Sequence, residues 1–541
     1  MRYFNTEGLC NPNKHYMVDI TARLIELKKM IEAGKYFVIN RGRQYGKTTT
    51  INELCGYIKD EYYVLSLDFQ AMDNDSFENG RVFAQALSEI IIDKKELFDE
   101  DIPDDVIQQL YKITERDIDK VKMADVFRVF MRWCKNTDKP VVLIIDEVDS
   151  ATNNQVFLDF LAQLRYYYLE REKGTGFKTF QSVILAGVTD VRHLKSKIRD
   201  EDQKKVNSPW NIAVDFKVDM SLSETGIKGM LNDYEKDHNT GMETAHIAKV
   251  IHDYTNGYPY LVSKICQIID QESVRDDKNA EVNEAGNNEA TTGLWSENGV
   301  DEAVKLILSD GKIPLFESLM GKLTNNPELK ERLRRILLLG DTSDYLPDDD
   351  DQKQLLLYGF VNVVNNKMVV ANRIFEMRLY RQFVGETKYD NLLQMAAAEK
   401  NIFIADGMLN VPKIMEHFIS SQRIIRGEMN EKFIEDEGRE RFLTFLSPII
   451  NGTGTYSVEE QTRDRRRMDV VIHYLGKRYV IELKIWRGER YKEEGEKQLK
   501  GYLDYFGLET GYMMSFNFNK NKEPGVTRLD VDGKVLYEGI V

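Results

Sequence analysis

Phe37-Val38-Ile39-Asn40-Arg41-Gly42-Arg43-Gln44-Tyr45-Gly46-Lys47-Thr48-Thr49 decides the fold of the first half of this 541-residue chain. Its apolar start reads as a short buried strand, Tyr36–Asn40. Its end reads as the first turn of a helix running on from Thr49, with a glycine-bearing loop between them. At such a junction the backbone N–H groups and the helix N-terminus attract phosphate. Lys47 reaches the terminal phosphates and Thr48 offers its hydroxyl to Mg²⁺. The spacing departs from the usual pattern: its first glycine falls on Arg41, and the nearest glycine is Gly42.

Working outward, four further short apolar runs alternate with helical stretches such as Val156–Glu170. They are Tyr63–Asp68, Val141–Ile145, Ser182–Ala186 and Ile212–Phe216. Continuous β-branched strands separated by helices predict a parallel sheet covered on both faces. The third run ends Ile145-Asp146-Glu147, the layout of a Walker B motif. Asp146 orients the Mg²⁺ and Glu147 accepts a proton from the attacking water. An acid pair at a strand end is also a simple polar exit from a core, but both motifs in one sheet, in this order, favour the nucleotide reading. Thr189 and Asp190, just past the fourth strand, are placed to sense a γ-phosphate. Arg192, Arg43 or an arginine of a second subunit is a candidate for countering transition-state charge.

The expected core spans residues 1–220. A helical lid follows over 221–275, with Asn256-Gly257-Tyr258-Pro259 closing one helix and opening the next. The polar stretch 276–300 is expected to be a flexible insertion or linker. Over 301–385 helices flank two short strands around Asn365-Asn366, which predicts a hairpin inside a winged-helix-like unit. The acidic run Asp348–Asp351 within it reads as a solvated loop. A connector, 386–404, leads to a mixed α/β region over 405–541.

That last region carries Met468-Asp469-Val470-Val471-Ile472 and, after twelve residues beyond Asp469, Glu482-Leu483-Lys484. The two stretches predict neighbouring strands. Side chains alternate along a strand, so Glu482 and Lys484 share a face. Two carboxylates beside one lysine suit Mg²⁺-assisted phosphodiester hydrolysis: the carboxylates hold the metal, the metal polarises phosphate and water, and the lysine steadies developing charge. Glu-x-Lys also occurs on exposed strands as a solvated pair, but the buried run Tyr479-Val480-Ile481 makes charged neighbours there need a reason. From Gln461 to Lys500, twelve Lys/Arg stand against seven Asp/Glu, whereas the whole chain carries a formal charge of −15. A local surplus of positive charge is where a polyanion docks.

A hydrophobic content of 42% fits a folded protein, and the length predicts about three or four domains. Four scattered cysteines (Cys10, Cys55, Cys134, Cys266) form no zinc-ribbon or disulfide spacing and suit a reducing compartment. The seven histidines show no ligand spacing, which argues against histidine-metal catalysis. No apolar run approaches the ~18 residues a membrane span needs, and the polar N-terminus shows no signal peptide. The expected location is the cytoplasm.

The first ~385 residues resemble a bacterial family of AAA-like, signal-transduction-type ATPases. The resemblance rests on Phe4-Asn5-Thr6-Glu7-Gly8, His15-Tyr16-Met17-Val18-Asp19, Asn40–Thr49, Asp146-Glu147 and Ala371-Asn372-Arg373-Ile374-Phe375-Glu376. It implies ATP as ligand, held by Gly42, Arg43, Gln44, Tyr45, Gly46, Lys47, Thr48, Thr49, Asp146 and Thr189. It implies Mg²⁺ on Thr48 and Asp146, adenine near Tyr16–Val18, and tolerance of a shortened phosphate loop. The C-terminal region resembles the PD-(D/E)XK restriction-endonuclease-like superfamily, with Met468 where the proline of its name would stand. That resemblance implies Asp469 and Glu482 as metal ligands and Lys484 and Gln498 as further catalytic residues. Glu440, on the helix Arg439–Leu446, ranks ahead of Glu460 as an added ligand, and Mn²⁺ is an alternative metal.

The leading expectation is an ATP-binding and ATP-hydrolysing chain whose C-terminal domain is an Mg²⁺-dependent nuclease cutting DNA, with RNA left open. A role in defence against foreign DNA and a homo-oligomeric assembly come from resemblance alone. The alternative is a signalling or scaffold ATPase whose C-terminal domain binds nucleic acid or protein without cutting. A nucleotide switch without turnover is a third reading, disfavoured by Glu147.

Overall fold

The computed structural model describes residues 2–152, 154–188, 210–214, 216–280, 294–338, 344–364, 366–385, 400–405, 408–425, 435–450, 454–461, 467–486, 489–517 and 523–541. The chain divides into two compact units. One comprises Met1–Asp237, Gly257–Gln267 and Leu357–Gly359; the other comprises His238–Asn256, Ile268–Leu356 and Phe360–Val541.

In the first unit, α1 (Thr21–Glu32) precedes β1 (Phe37–Asn40), and the phosphate-loop stretch leads into α2 (Lys47–Ile58). Then come β2 (Tyr63–Asp68), α3 (Gly80–Glu96), α4 (Asp104–Thr114), α5 (Met123–Asn136), β3 (Val141–Asp146), α6 (Gln155–Glu172) and β4 (Ser182–Gly187). The strands form a parallel sheet in the order β1-β4-β3-β2. Alternation with both faces covered explains why β1, β3 and β4 are buried along their whole length, whereas the edge strand β2 is buried in part. Val38, Leu143, Ile145, Val183 and Leu185 pack into the core beneath α3–α6. Phe37, Ile39, Val142, Ile144, Ile184 and Ala186 pack into a second core with Leu54 and Ile58 of α2 and Leu27 and Ile31 of α1.

Among the described residues of the strand expected at Ile212–Phe216 there is a bridge but no strand. That bridge joins Val214 to Phe37, with the Val214 N–H donating to Tyr36 O at 2.9 Å. Side chains hold this segment instead: Trp210 is fully buried, and Phe216 stacks on Phe37 with ring centroids 6.1 Å apart. α7 (Glu224–His238), α8 (Thr244–Thr255) and α9 (Pro259–Ala280) follow. α9 runs through residues 276–280, and α10 (Glu297–Ser309) opens before residue 300, so both ends of the expected linker are helical; residues 281–293 lie outside the described ones.

In the second unit, α10 leads to α11 (Pro314–Asn325), α12 (Pro327–Leu338), α13 (Asp350–Tyr358), the hairpin β5 (Val361–Val364) and β6 (Lys367–Val370), and α14 (Arg373–Gly385). Val364 pairs with Lys367, so the expected hairpin forms, with Asn366 left-handed at φ 63° before β6; Asn365 lies outside the described residues. The acidic run is solvated only in part: Asp348 and Asp350 are exposed, but Asp349 is engaged. Asp349 Oδ1 accepts from the N–H groups of Asp351 and Gln352, both at 3.1 Å, and so caps α13. Its other oxygen lies 2.5 Å from the Arg332 guanidinium.

Beyond the short strands β7 (Ile404–Ala405) and β8 (Met408–Leu409) lie α15 (Val411–Ile425), α16 (Glu435–Ile450), β9 (Gly454–Gln461), β10 (Arg467–Tyr474), β11 (Lys477–Ile485), α17 (Glu489–Phe506), β12 (Thr510–Phe516), β13 (Gly525–Val531) and β14 (Lys534–Ile540). β9–β14 form one mixed sheet in the order β13-β14-β12-β11-β10-β9. β11 and β12 are parallel, and α17 supplies the crossover that parallel neighbours require. Leu499, Tyr502 and Leu503 of α17 cover Val471, Val480, Met513 and Leu536. On the other face Gly438 of α16 lies so close to Phe516 that an added Cβ would sit 2.6 Å from its ring, and Gly539 is as tightly opposed to Met415 of α15, at 2.8 Å. Among the described residues no helix is long and apolar enough to cross a membrane.

Candidate functional site

The loop between β1 and α2 is shaped by two left-handed residues, Gln44 at φ 56° and Gly46 at φ 80°. Such alternation turns successive N–H groups inward into an anion-binding concavity. Arg41 needs no glycine conformation. Its guanidinium points away from the loop, donating to Val218 O at 3.1 Å and lying 5.2 Å from the Phe216 ring centroid. Gly42 is where a side chain is excluded, because an added Cβ would lie 2.9 Å from Tyr358 O. The glycine pattern is therefore displaced by one position for a packing reason. Lys47 is buried, and its ammonium donates to Arg41 O and Gly42 O, each at 3.2 Å.

Thr48 Oγ1 donates to Asp146 Oδ2 at 2.8 Å, so the two groups expected to hold Mg²⁺ are together. The other Asp146 oxygen accepts from the Glu147 N–H at 2.9 Å, and Glu147 stands at φ 50°, an uncommon backbone state for a side chain of its kind. Burial pushes the Lys47 ammonium pKa down, against the pull of Glu147, Asp149 and Asp146. Burial likewise pushes the Asp146 and Glu147 carboxyls up, as low dielectric does to any unscreened charge. Carboxylate and hydroxyl oxygens are hard donors, so this pair fits Mg²⁺.

Three residues join this site that the motifs did not single out. Asp149 Oδ2 accepts from the Val188 N–H at 2.7 Å and ties the end of β3 to the end of β4. Arg23 of α1 donates to Thr50 Oγ1 at 3.1 Å and to Met220 O at 2.9 Å. The Tyr258 hydroxyl donates to Arg43 O, and its ring meets that of Tyr45 edge-on at 4.7 Å. Tyr258 follows a left-handed pair, Asn256 at φ 46° and Gly257 at φ 69°, and an added Cβ on Gly257 would fall 2.2 Å from Leu222 O. Thr49 Oγ1 accepts from the Cys10 N–H at 3.3 Å. Tyr16 donates to Asp237 Oδ2 at 2.8 Å, and Val18 packs so closely on Gly226 of α7 that a Cβ there would lie 2.5 Å away. Thr189, Asp190 and Arg192 lie outside the described residues.

In the second unit, β10 and β11 form the expected hairpin, paired from Val470 opposite Ile481 to Tyr474 opposite Lys477. Asp469 and Glu482 each stand one residue beyond the Val470–Ile481 pair. Asp469 Oδ2 accepts from the Leu483 N–H at 2.7 Å, which holds its carboxylate against the strand carrying Glu482. Lys484 Nζ lies 2.9 Å from Glu482 Oε1, with Glu482 buried. Asp469 is thus tied to the strand that carries the Glu482–Lys484 pair. Two arginines that the sequence patterns left unassigned face these acids. Arg439, buried on α16, lies 3.6 Å from Asp469 Oδ1. Arg334 of α12 lies 3.0 Å from Glu440 Oε1. Glu440 is therefore committed to an ion pair with α12. Gln498 is exposed on α17, and the Glu460 side chain and residues 462–466 lie outside the described ones. Among the described residues no three His, Cys, Asp or Glu side chains gather as a metal cage. Asp469 and Glu482 offer hard oxygen donors suited to Mg²⁺ or Mn²⁺, and Glu440, also an oxygen donor, is held by Arg334.

The AAA-like domain family matches residues 12–281. That match spans the strand, loop and helix described above, and this part of the chain is similar to the AAA-like family. Comparison with curated proteins gives no match. Among solved structures, a Walker-type ATPase of Pyrococcus abyssi is similar at 11% identity, covering 70% of this chain and 99% of that one, with a TM-score of 0.47. Cdc6p of Pyrobaculum aerophilum is similar at 13% identity, covering 71% of this chain and 97% of that one, with a TM-score of 0.31. The ORC1 protein of Aeropyrum pernix, solved in complex with DNA, is similar at 10% identity over 68% of this chain and 94% of that one, with a TM-score of 0.28.

Proposed function

We propose that the AAA-like P-loop domain binds and hydrolyses ATP with Mg²⁺, and that the C-terminal mixed-sheet domain is a metal-dependent nuclease of the PD-(D/E)XK type acting on DNA. Residues 221–275 serve as lid and 301–385 as a winged-helix-like unit. In the first reaction Lys47 neutralises the terminal phosphates, while Thr48 and Asp146 hold the metal. Glu147, whose carboxyl pKa burial pushes up, takes the proton of the attacking water. Mg²⁺ held there would supply charge neutralisation for the phosphates. The single observation that carries this half is the 2.8 Å contact of Thr48 with Asp146, which puts both motifs in one site.

In the second reaction Asp469 and Glu482 would hold Mg²⁺ or Mn²⁺, which would supply polarisation of the scissile phosphate, and Lys484 steadies the charge that develops. Gln498 orients substrate. The tethering of Asp469 to the Leu483 N–H beside the buried Glu482–Lys484 pair supports this reading. Cleavage of linear and single-stranded DNA by the purified chain in Mg²⁺ or Mn²⁺ tests it. Cleavage should vanish in Asp469→Ala and persist in Lys47→Ala without ATP; equal cutting by wild type and Asp469→Ala would refute it.

A second reading, in which the domain binds nucleic acid or protein without cutting, is favoured by one observation. Arg334 and Arg439 already face Glu440 and Asp469, which leaves fewer carboxylate oxygens for a metal. Tight DNA binding with no cleavage in either metal would select it.

A further inference from the structure

The hairpin that carries Asp469 and Glu482 is anchored at its opposite end by charged and polar side chains of the lid and winged-helix segments, all inside the second unit. His473, buried on β10, meets Arg373 at the start of α14, with the guanidinium nitrogen 2.6 Å from Nε2. A guanidinium only donates, so Nε2 accepts and Nδ1 carries the ring proton in this contact. Nδ1 faces Asp301 of α10 at 3.9 Å. The other Asp301 oxygen accepts from the Tyr254 hydroxyl of α8 at 2.7 Å, and the Arg373 guanidinium lies over the Tyr254 ring at 4.3 Å. One residue group on α8, α10 and α14 thus grips one residue of the hairpin. A parallel contact lies beside it: Arg478, paired with His473 across the hairpin, reaches Glu297 at 3.0 Å, and Glu297 lies 3.6 Å from His246 of α8.

The same group is linked to the corner that ends α8. Asn256 Nδ2 donates to Ala371 O at 3.0 Å, two residues before Arg373, and Asn362 Nδ2 donates to the same carbonyl at 3.2 Å. Asn372 caps α14 by accepting from the Phe375 N–H at 2.9 Å, which fixes where Arg373 leaves the helix. The chain itself continues from Asn256 through Gly257 to Tyr258, whose hydroxyl donates to Arg43 O in the phosphate loop. The Ala371–Glu376 motif, which no step of the proposed chemistry uses, acquires a purpose from these contacts.

We propose that Arg373 and His473 are positioning residues that couple the nucleotide state of the phosphate loop to the hairpin bearing the candidate nuclease carboxylates, through Tyr258, Asn256 and the α8 corner. The coupling rests on the proposed nucleotide reading and gives the nuclease reading its regulation. Coupling between sites is reciprocal and typically amounts to about fivefold or more.

Hydrogen exchange of the full chain, with and without a non-hydrolysable ATP analogue, tests it over residues 467–485. Exchange of hairpin amides should change by about fivefold or more in the wild type on adding the analogue. The change should be lost in Arg373→Gln and in His473→Gln, with analogue binding retained. Asn256→Ala, which leaves the ion cluster in place, should lose the change as well. Run beside it, DNA cleavage without ATP should be equal in wild type and Asn256→Ala, with ATP dependence lost only in the variant. A hairpin response in a chain that cuts no DNA leaves the coupling standing and sinks the nuclease reading. A hairpin indifferent to the analogue, or one that still responds in all three variants, overturns the coupling whether or not DNA is cut.

Discussion

Lys47 is a cation with one place to be. Buried and bonded to two carbonyls of its own loop, it sits at the end of the concavity made by Gln44 and Gly46. A ligand at a hundred times its Kd stabilises a fold by about 2.7 kcal/mol, and that increment should be absent in Lys47→Ala. Thermal shift with and without ATP reads it; equal stabilisation of wild type and variant would contradict the assignment. Gly42→Ala should destabilise the fold by about 1–3 kcal/mol, as overpacking does, because its new Cβ would lie 2.9 Å from Tyr358 O. Denaturant unfolding measures that loss. At this scale the sequence displayed the groups that motifs name, Lys47, Thr48, Asp146 and Glu147. It did not display why Arg41 replaces a glycine, since the answer lies with Val218 and Phe216, residues far along the chain. Tyr258 and Arg439 escaped for the same reason: each acts through a contact remote in sequence.

At the scale of elements, local pattern decided most strands and helices. β1, β3 and β4 are continuous apolar runs because both of their faces are covered, and a run of that kind is visible in a sequence. Ile212–Phe216 reads as a strand for the same apolar content, but its described residues are held by one bridge and by the aromatic anchors Trp210 and Phe216 rather than by a hydrogen-bond ladder. Asp348–Asp351 looked like solvated charge, yet Asp349 caps α13 and pairs with Arg332. Capping is a matter of one backbone geometry, which composition cannot reveal. Asp349→Ala should therefore cost about 1–2 kcal/mol, the range of a lost N-cap, and Asp349→Asn should recover part of it. Urea unfolding followed by circular dichroism distinguishes the two; a neutral Asp349→Ala would show that the cap is idle.

Over the whole molecule, burial sets the chemistry of the cysteines. It raises the Cys55 thiol to about 11 and the Cys134 thiol to about 12, with Cys10 also raised. The thiolate is the reactive form. At neutral pH, alkylation of Cys55 and Cys134 should therefore be roughly a hundredfold or more slower than that of a free thiol. Mass spectrometry after iodoacetamide treatment, native against urea-unfolded, checks it, and rapid labelling of native Cys55 would contradict the packing around α2. The pairing of an acidic chain with a locally basic C-terminal segment was legible as a count of charges. Which acids those bases face was not, because Arg478 and Glu297 meet only once β11 and α10 are folded together.

The most direct test of the central claim is the initial rate of DNA cleavage in Mg²⁺ as ATP is titrated, for wild type, Lys47→Ala and Asp469→Ala side by side. The account predicts a rate that changes with ATP in the wild type, a rate indifferent to ATP in Lys47→Ala, and none in Asp469→Ala. Cleavage that survives in Asp469→Ala, or that answers to ATP in Lys47→Ala as in the wild type, would contradict it.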